Sequence, residues 1–405
     1  ETIMSLTFIR RPPGLQFGST DVRQLADRAG RTPFFAYDRS AIDARVEELR
    51  SLLPSVMQLH YSIKANPMPA LIHYLAQRVD GFDVASAQEM ALALDAGTAP
   101  AAIGFAGPGK SYDDLRRAVA SGVNVHVESE TQLRLVTALG WELGVQPSVA
   151  IRVNPGFQVG HSGMRMGGDA APFGVDVDQV PALLCELETR EVALAGFHVF
   201  WGSQCLHAAT IIEAQRQSAD LILRLASALP QPLRFVNLGG GFGIPYFPGE
   251  TPLDVKAVCE AMHDWLSPLC ERLPGTTPIL ELGRYLVGEA GIYVCRVIDR
   301  KVSRGRTFVI TDGGLHHHLA ASGNFGQVLR RNFPVVIGNR PDGEPRERCH
   351  VVGCLCTPLD RLADDVELPE AHVGDFVVVK QSGAYGRSAS PVHFLSHPEP
   401  AEMLV

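Results

Sequence analysis

The chain has 405 residues, of which 46% are hydrophobic and 20% are charged, so it is long enough for two domains with a large buried core. Its net charge of −8 argues against a nucleic-acid partner, because phosphate binding requires a basic surface. No apolar run reaches the roughly 18 residues of a membrane span, no secretory signal pattern is seen, and the eight cysteines lack paired spacing, so we expect a cytoplasmic protein without a membrane partner.

The first two-thirds of the chain alternates short β-rich segments with helical ones. Residues 86–96 and 129–139 carry apolar side chains at three- and four-residue spacing, which predicts helices. Ser86 and Ser129 stand at N-cap positions, and Glu89 is expected to complete a capping box with Ser86. The predicted strands are residues 60–63, 81–84, 103–106, 123–127, 149–153, 195–199, 235–238 and 278–281. This alternation predicts a (β/α)8 TIM-like barrel of the α/β class, with an open doubly wound sheet as the alternative.

The sequence pattern changes after Gly283. Four further strands are predicted there without regular helices between them, at residues 294–302, 307–311, 350–352 and 376–380. An earlier strand at residues 34–37 precedes the barrel and is expected to pair with this second part. We therefore expect an N-terminal segment (1–36) that joins the β domain, a barrel (37–283) and a mostly β C-terminal domain (284–405).

Polar residues and a run of three glycines gather at the predicted C-terminal ends of the barrel strands, where barrel enzymes place their chemistry. These residues are Lys64, Asp83, Arg152, His198, Gly239, Gly240, Gly241, Glu281 and Arg284. A single lysine or histidine at such a position is usually a solvated or packed side chain, but packing does not account for the whole set. A lysine amine can bind an aldehyde cofactor, a carboxylate can keep a pyridine nitrogen protonated, and a glycine turn with an arginine can bind phosphate. The set therefore points to pyridoxal phosphate (PLP).

Two groups of residues raise the possibility of a metal site. The first comprises Cys349, His350, Cys354 and Cys356, and the second is the run His316, His317 and His318. Neighbouring residues of an extended segment point to opposite faces, and three consecutive residues do not converge on one ion from regular structure. We therefore expect no metal, and we expect some of the three histidines to line a substrate pocket.

Several segments, taken together in order, resemble the fold-type III PLP decarboxylases, which include the ornithine and diaminopimelate decarboxylases. The resemblance extends from about residue 34 to residue 405. Its motifs are YSIKAN (61–66), FDVAS (82–86), GFH (196–198), GSQ (202–204), NLGGGFG (237–243), ELGR (281–284), GCLC (353–356) and SGAY (382–385).

The resemblance implies a PLP-dependent carboxy-lyase of amino-acid metabolism that acts as a homodimer with shared active sites. It implies catalytic roles for Lys64, His198, Glu281 and Cys356, with His198 stacked on the cofactor ring and Cys356 contributed by the partner subunit as a proton donor. The cofactor-binding residues that we expect are Lys64, Asp83, Arg152, His198, Ser203, Gly239, Gly240, Gly241, Glu281, Arg284 and Tyr385. The expected substrate-binding residues are Thr357, Asp360, His316 and Asn324.

Four departures from the family pattern concern the substrate and the cofactor surroundings. Relatives that act on free ornithine or diaminopimelate carry an acidic residue after the catalytic cysteine, whereas this chain has Thr357. The Arg-Pro-x-x-Tyr substrate block is also absent. Phe200 stands where many relatives have a second histidine, and Leu282 replaces a proline. The pattern is similar to a subgroup associated with exosortase loci and with siderophore or carrier-protein pathways.

We therefore expect a decarboxylase of a modified or carrier-linked amino acid, so that the substrate is a small molecule or is linked to a carrier protein. One alternative is a decarboxylase of free diaminopimelate or another basic amino acid. An amino-acid racemase on a similar barrel and a catalytically inactive regulatory homologue are further alternatives. The inactive homologue is disfavoured because Lys64, Glu281, Arg284 and Cys356 are all present.

Overall fold

The computed structural model describes residues 14–405 except residues 159, 161–163, 166, 189–190, 228, 230–231 and 328. It contains two compact units. The barrel unit is Ile42–Glu289, and the β unit comprises the described residues up to Ala41 together with Ala290–Val405. Across the described ranges, no helix combines the length and the apolar character needed to span a membrane.

Eight parallel strands of the barrel unit close into a barrel. Their bounds are Gln58–Ser62, Gly81–Val84, Ile103–Phe105, Asn124–Val127, Ser148–Asn154, Ala193–Val199, Phe235–Gly240 and Thr277–Leu282. Each strand pairs with its neighbours in chain order, and the last pairs with the first through Glu281 opposite His60. This closure confirms the predicted (β/α)8 TIM-like barrel and excludes the open sheet.

A helix follows every barrel strand, and Arg39–Leu52 precedes the first strand. The helices that follow the strands are Pro69–Leu75, Ala87–Asp95, Tyr112–Ser121, Glu130–Leu143, Val180–Glu188, Ala208–Ala226, Val255–Arg272 and Arg284–Val287. Strands such as Gly81–Val84 and Asn124–Val127 are buried at every residue. Burial on both faces is expected when helices cover the outside of a parallel sheet and side chains fill its inside.

Serine caps set the start of several helices. The side chains of Ser86 and Ser129 accept hydrogen bonds from the backbone N–H groups of Glu89 and Gln132, as the sequence predicts. The expected capping box at Ser86 is incomplete, because the Glu89 carboxylate accepts from the N–H of Ala85 at 2.7 Å. Ser111 forms a complete box that the sequence reading overlooked.

The β unit is built on one eight-stranded sheet. Its strands are Phe34–Tyr37, Gly291–Ser303, Arg306–Thr311, Val335–Ile337, Arg346–Val352, Arg361–Pro369, Phe376–Val379 and Ala401–Leu404. Phe34–Tyr37 lies antiparallel to Gly291–Ser303 and parallel to Ala401–Leu404. The expectation that this early strand pairs with the later part of the chain is therefore confirmed.

The helix Val22–Ala29 packs against this sheet through Val22 and Leu25, which are fully buried with Phe34 and Val294. Removing such apolar side chains from water is the main favourable contribution to folding. The remaining short strands are Gln16–Phe17, Thr20–Asp21, Met164–Arg165, Val175–Asp176 and Gly202–Ser203, and the 3-10 turns are Ile63–Ala65, Pro100–Ala102, Val177–Gln179, Arg387–Ala389 and Phe394–Ser396.

Candidate active site

A cavity of about 260 Å³ opens at the C-terminal ends of the barrel strands. It contains five of the residues predicted from those strand ends, namely Lys64, Asp83, Arg152, His198 and Glu281. Its other lining residues are Ser62, Val84, Ala85, Ala106, Gly107, Pro108, Gly109, Lys110, Phe173 and Phe200. Lys64 lies on the 3-10 turn directly after the first barrel strand, and its Nζ lies 5.2 Å from the centre of the Phe200 ring.

Glu281 is buried on the last barrel strand and held by two neighbours. His198 Nε2 lies 3.4 Å from one carboxylate oxygen, and Asn237 Nδ2 donates to the same oxygen at 2.9 Å. Burial opposes the ionisation of Glu281, but the charge and hydrogen bond of His198, the Lys64 ammonium and the Asn237 amide outweigh it and hold the pKa well below its ordinary value. The site therefore contains a buried carboxylate that stays ionised.

Asp83 lies beside Glu281 and behaves in the opposite way. Burial and the neighbouring Glu281 charge raise its pKa, although His60 and His198 act against them. His60 Nδ1 lies 3.6 Å from Asp83 Oδ2, and Asn237 Nδ2 lies 3.4 Å from Asp83 Oδ1. Because two neighbouring buried carboxyl groups repel each other when both are ionised, one of them ionises more readily than the other. Here Glu281 carries the negative charge and Asp83 retains its proton more readily.

Two residues that the sequence does not single out as site residues, Asn237 and His126, contact Glu281 and His198. Asn237 also accepts the N–H of Gly239 at 2.9 Å, so one amide links the glycine run to Glu281. His126 Nδ1 lies 2.9 Å from His198 Nδ1, and burial followed by the charge of His198 lowers the pKa of His126 far below its usual range. A neutral His126 can exchange a hydrogen bond with His198 and fix its ring.

Arg152 belongs to a buried charge cluster in the cavity wall. Its Nη1 lies 3.0 Å from Glu128 Oε1, and Lys110 Nζ lies 4.0 Å from the same oxygen. Burial raises the pKa of Glu128, but Arg152 and Lys110 lower it further than burial raises it. Burial lowers the pKa of Lys110 to about 8, while Glu128 raises it in part. Glu128 is the first residue after its strand, so reading that strand end would have found it.

The glycine run ends the seventh barrel strand, with Gly239 and Gly240 in the strand and Gly241 directly after it, and it has the backbone that a phosphate loop needs. Gly239 and Gly241 adopt φ angles of 69° and 77°, a region that favours glycine. A Cβ on Gly240 would lie 2.0 Å from the carbonyl oxygen of Glu281, so a side chain there would push two strands apart. The run also lies against the segment that carries Ser203, because Cys205 N–H donates to Gly241 O at 2.9 Å.

Arg284 begins the short helix Arg284–Val287 that follows the last barrel strand. Its Nη1 donates to the hydroxyl of Tyr246 at 2.7 Å. Tyr246 lies on the segment that continues from the glycine run, so the predicted phosphate arginine is tied to the predicted phosphate loop.

The other predicted site residues belong to the β unit. Cys356 is exposed in the loop that follows the strand Arg346–Val352. Asp360 stabilises this loop, because its two carboxylate oxygens accept the N–H groups of Leu315 at 2.6 Å and Leu355 at 2.8 Å. Thr357 is half-buried in the same loop, and its N–H donates to Leu355 O at 2.8 Å.

Two more predicted residues of the β unit lie on its turns. Asn324 donates to the Ser322 hydroxyl at 2.8 Å and to Leu359 O at 3.3 Å. Tyr385 has a φ angle of 52°, an unusual conformation for a bulky residue that is often associated with functional sites. His316, the remaining predicted residue of this unit, is fully buried.

A family model described as "Pyridoxal-dependent decarboxylase, pyridoxal binding domain" matches residues 39–288, which is more than half of the chain. The chain belongs to this family. It is therefore a PLP-dependent carboxy-lyase, as the sequence motifs predict.

Three similar proteins place the decarboxylase within the family. It is 40% identical to the L-glutamyl-[BtrI acyl-carrier protein] decarboxylase of Niallia circulans over 92% of this chain and 88% of the relative. It is 30% identical to the 2-[(L-alanin-3-ylcarbamoyl)methyl]-2-hydroxybutanedioate decarboxylase of Staphylococcus aureus over 94% of this chain and 95% of the relative. The crystal structure of the diaminopimelate decarboxylase of Helicobacter pylori complexed with L-lysine superposes with a TM-score of 0.83 at 26% identity. The superposition covers 95% of this chain and 94% of that chain.

The residues of the cavity fit PLP. The set of groups suits its chemistry, since an amine (Lys64) faces a cavity that also holds an ionised carboxylate (Glu281) and an imidazole (His198). Gly239 and Gly241 supply a turn whose backbone can approach a phosphate closely.

The buried charge cluster predicts a large effect for Glu128→Gln. The variant leaves Lys110 and Arg152 in the cavity wall without their anion, which typically costs about 3–5 kcal/mol. We expect the thermal unfolding midpoint to fall by roughly 10 °C for a unit of this size. Differential scanning calorimetry measures it, with Glu142→Gln as the control because Glu142 pairs with Arg116 at an exposed site. Equal midpoints for the two variants would contradict the cluster's role.

Proposed function

We propose that the enzyme decarboxylates an amino acid that is linked through its side chain to a carrier protein. The observation that carries this proposal is the 40% identity, over 92% of the chain, to the carrier-protein glutamyl decarboxylase of Niallia circulans. Decarboxylation with PLP requires a free α-amine and a free α-carboxylate on one carbon. The linkage to a carrier must therefore use the side chain, which in a glutamyl substrate is its side-chain carboxyl group.

Thr357 supports the same substrate class. The neutral threonine stands where the resemblance to diaminopimelate and ornithine decarboxylases predicts an acidic residue for a distal ammonium. A buried ammonium without a carboxylate partner is costly, whereas an uncharged thioester or amide linkage needs no such partner.

We propose the following roles for the residues of the barrel cavity. PLP, when bound, supplies an electron sink that accepts the electrons left behind as carbon dioxide departs. Lys64 holds the cofactor through its amine, and Glu281 keeps a proton on the pyridine nitrogen because the carboxylate is buried and ionised. His198 would contact the cofactor ring, and His126 and Glu281 fix the orientation of the His198 side chain.

The same proposal assigns the remaining predicted residues. Gly239, Gly240, Gly241, Ser203, Arg284 and Tyr385 bind the phosphate, while Asp83 and Arg152 shape the cavity around the ring. Cys356 returns a proton to the carbon that has lost carbon dioxide, and Thr357, Asp360, His316 and Asn324 form or support the substrate side of the site.

We propose that active sites are shared across a homodimer, with Cys356 of the partner subunit completing the site that contains Lys64. The exposure of Cys356 supports this arrangement, because a proton donor for a second subunit must be accessible on its own unit. We also propose a cytoplasmic location, which suits a protein whose eight cysteines are all free thiols.

Lys64 is the test of cofactor attachment. After reconstitution with PLP, we expect the visible absorption band of the lysine-bound cofactor in the wild type and its loss in Lys64→Ala. Borohydride reduction of the wild type followed by peptide mapping should attach the cofactor to the peptide that contains residue 64. Lys110→Met, at the second lysine of the cavity, should keep the band. Attachment at Lys110, or a wild type that binds no PLP, would overturn the assignment.

Mixed dimers test the shared site. Cys356→Ala and Lys64→Ala are each expected to be inactive or nearly so, but half of the dimers in a random equal mixture combine the two variants. One of the two sites in each such dimer regains both groups, so activity should recover to about a quarter of the wild type. Subunit exchange is verified with differently tagged chains. Verified exchange without recovery would place both residues in one subunit's site or remove Cys356 from catalysis.

The substrate proposal is tested by carbon dioxide release. We expect the γ-L-glutamyl thioester of pantetheine to be decarboxylated with at least ~100-fold higher kcat/KM than free L-glutamate or free diaminopimelate, which corresponds to ~2.7 kcal/mol of discrimination. The amide-linked citryl compound named for the Staphylococcus aureus relative serves as the alternative modified substrate. Thr357→Glu should raise kcat/KM for free diaminopimelate about tenfold, and Thr357→Gln should not. Efficient turnover of free diaminopimelate by the wild type would refute the proposal.

A further inference from the structure

Three side chains from separate segments of the β unit meet at one point. His316 comes from the turn after the strand Arg306–Thr311, Cys354 from the loop after Arg346–Val352, and His397 from the segment before Ala401–Leu404. Their nitrogen and sulfur ligand atoms all lie within 4.8 Å of one another. Cys354 Sγ lies 3.9 Å from His397 Nδ1, and the two imidazole rings are 5.2 Å apart.

The surroundings of His316 are unusual for a buried histidine. Its residue is 0% exposed, and neither ring nitrogen has a hydrogen-bond partner within the described part of the chain. An unpaired buried polar group is costly, so its presence calls for an explanation. Its two chain neighbours differ, because His317 contacts Tyr293 Oη at 3.1 Å and Pro398 O at 2.9 Å, and His318 Nε2 lies 2.9 Å from Ser382 Oγ.

We propose that His316, Cys354 and His397 bind a zinc ion. Two imidazoles and one thiolate form a ligand set that binds zinc in preference to magnesium or calcium. Around a tetrahedral zinc, a sulfur and a nitrogen ligand are separated by about 3.6 Å. Side-chain rotations that move the ligand atoms by a few tenths of an ångström to about 1 Å would therefore bring all three within bonding distance of one ion.

Zinc binding requires a neutral imidazole nitrogen and a thiolate sulfur. Binding forms a bond between zinc and Cys354 Sγ and releases the proton of that thiol to solvent.

The proposed site has three protein ligands and a fourth position for water or another small ligand. Asp360 lies outside this group of ligand atoms, and each of its carboxylate oxygens accepts a backbone N–H group. Cys354 precedes Cys356 by two residues. A bound zinc would therefore fasten the loop that carries Cys356 to two other segments of the β unit.

Cobalt(II) is a suitable probe because its thiolate complexes absorb in the near ultraviolet and its tetrahedral complexes absorb in the visible range. The experiment uses untagged PLP-bound enzyme, titrated with Co²⁺ and then displaced by Zn²⁺. We expect one Co²⁺ per chain with a thiolate charge-transfer band. The band should disappear in Cys354→Ser, and the affinity should fall at least tenfold in His397→Ala.

Two matched controls separate the proposed ligands from their neighbours. Cys356→Ser tests the exposed thiol of the same loop as Cys354, and His393→Ala tests an exposed histidine of the same segment as His397. Both controls should keep the band and the affinity. The side chains of Cys354 and His397 are only half-buried, so their variants should fold where a substitution of His316 would risk the core.

The proposal is overturned if the wild type binds no Co²⁺ with a thiolate band, or if Cys354→Ser binds it as the wild type does. Loss of the band in Cys356→Ser alone would move the site elsewhere and equally overturn it. Metal binding is measured by absorption and stoichiometry, so its failure is distinguishable from a failure of the proposed decarboxylation.

Discussion

An ionised carboxylate in the interior of a barrel is costly, and the site depends on the interactions that keep Glu281 charged. The side chains that offset this cost lie on neighbouring strands of the sheet. His198 and Asn237 are paired residues of two adjacent strands, and Asn237 donates a hydrogen bond to Glu281 on the next strand. The register shifts between Asn237 and Gly240, which brings Gly240 opposite Glu281. The left-handed Gly239 lies within this irregularity, so the backbone that suits a phosphate also sets the position of the carboxylate.

The two neighbouring carboxyl groups, Glu281 and Asp83, have pKa values shifted in opposite directions. Because Glu281 and Asp83 repel each other, charge on one raises the pKa of the other, and His198 and Lys64 favour the charge on Glu281. The result is a single negative charge in a defined place with a hydrogen-bond donor beside it. A cofactor whose ring nitrogen must stay protonated needs such a fixed anion, and water, which reorients freely, does not provide one.

Much of the barrel and its site follows from the sequence, because strands in a barrel bring their C-terminal ends to one rim. Lys64, Asp83, His198 and Glu281 were found by reading those ends, and the cavity brings them together. Lys110 was not found because it lies on a loop beyond its strand. The strand Arg361–Pro369 was also missed, since its acidic residues mask any alternation of apolar side chains. Contacts such as those of His316 join distant segments, and no local pattern encodes them.

The strand Phe34–Tyr37 has a consequence for the order in which the chain folds during synthesis. Tyr37 donates a hydrogen bond to Glu402, 365 residues later, and both lie in paired strands of one sheet. The barrel unit, whose strands pair mostly with neighbours in sequence, can close while the ribosome is still making the β unit. Phe34–Tyr37 must instead wait for its partners with its apolar side chains exposed. An unpaired strand that carries Phe34 and Phe35 needs protection from aggregation in this state.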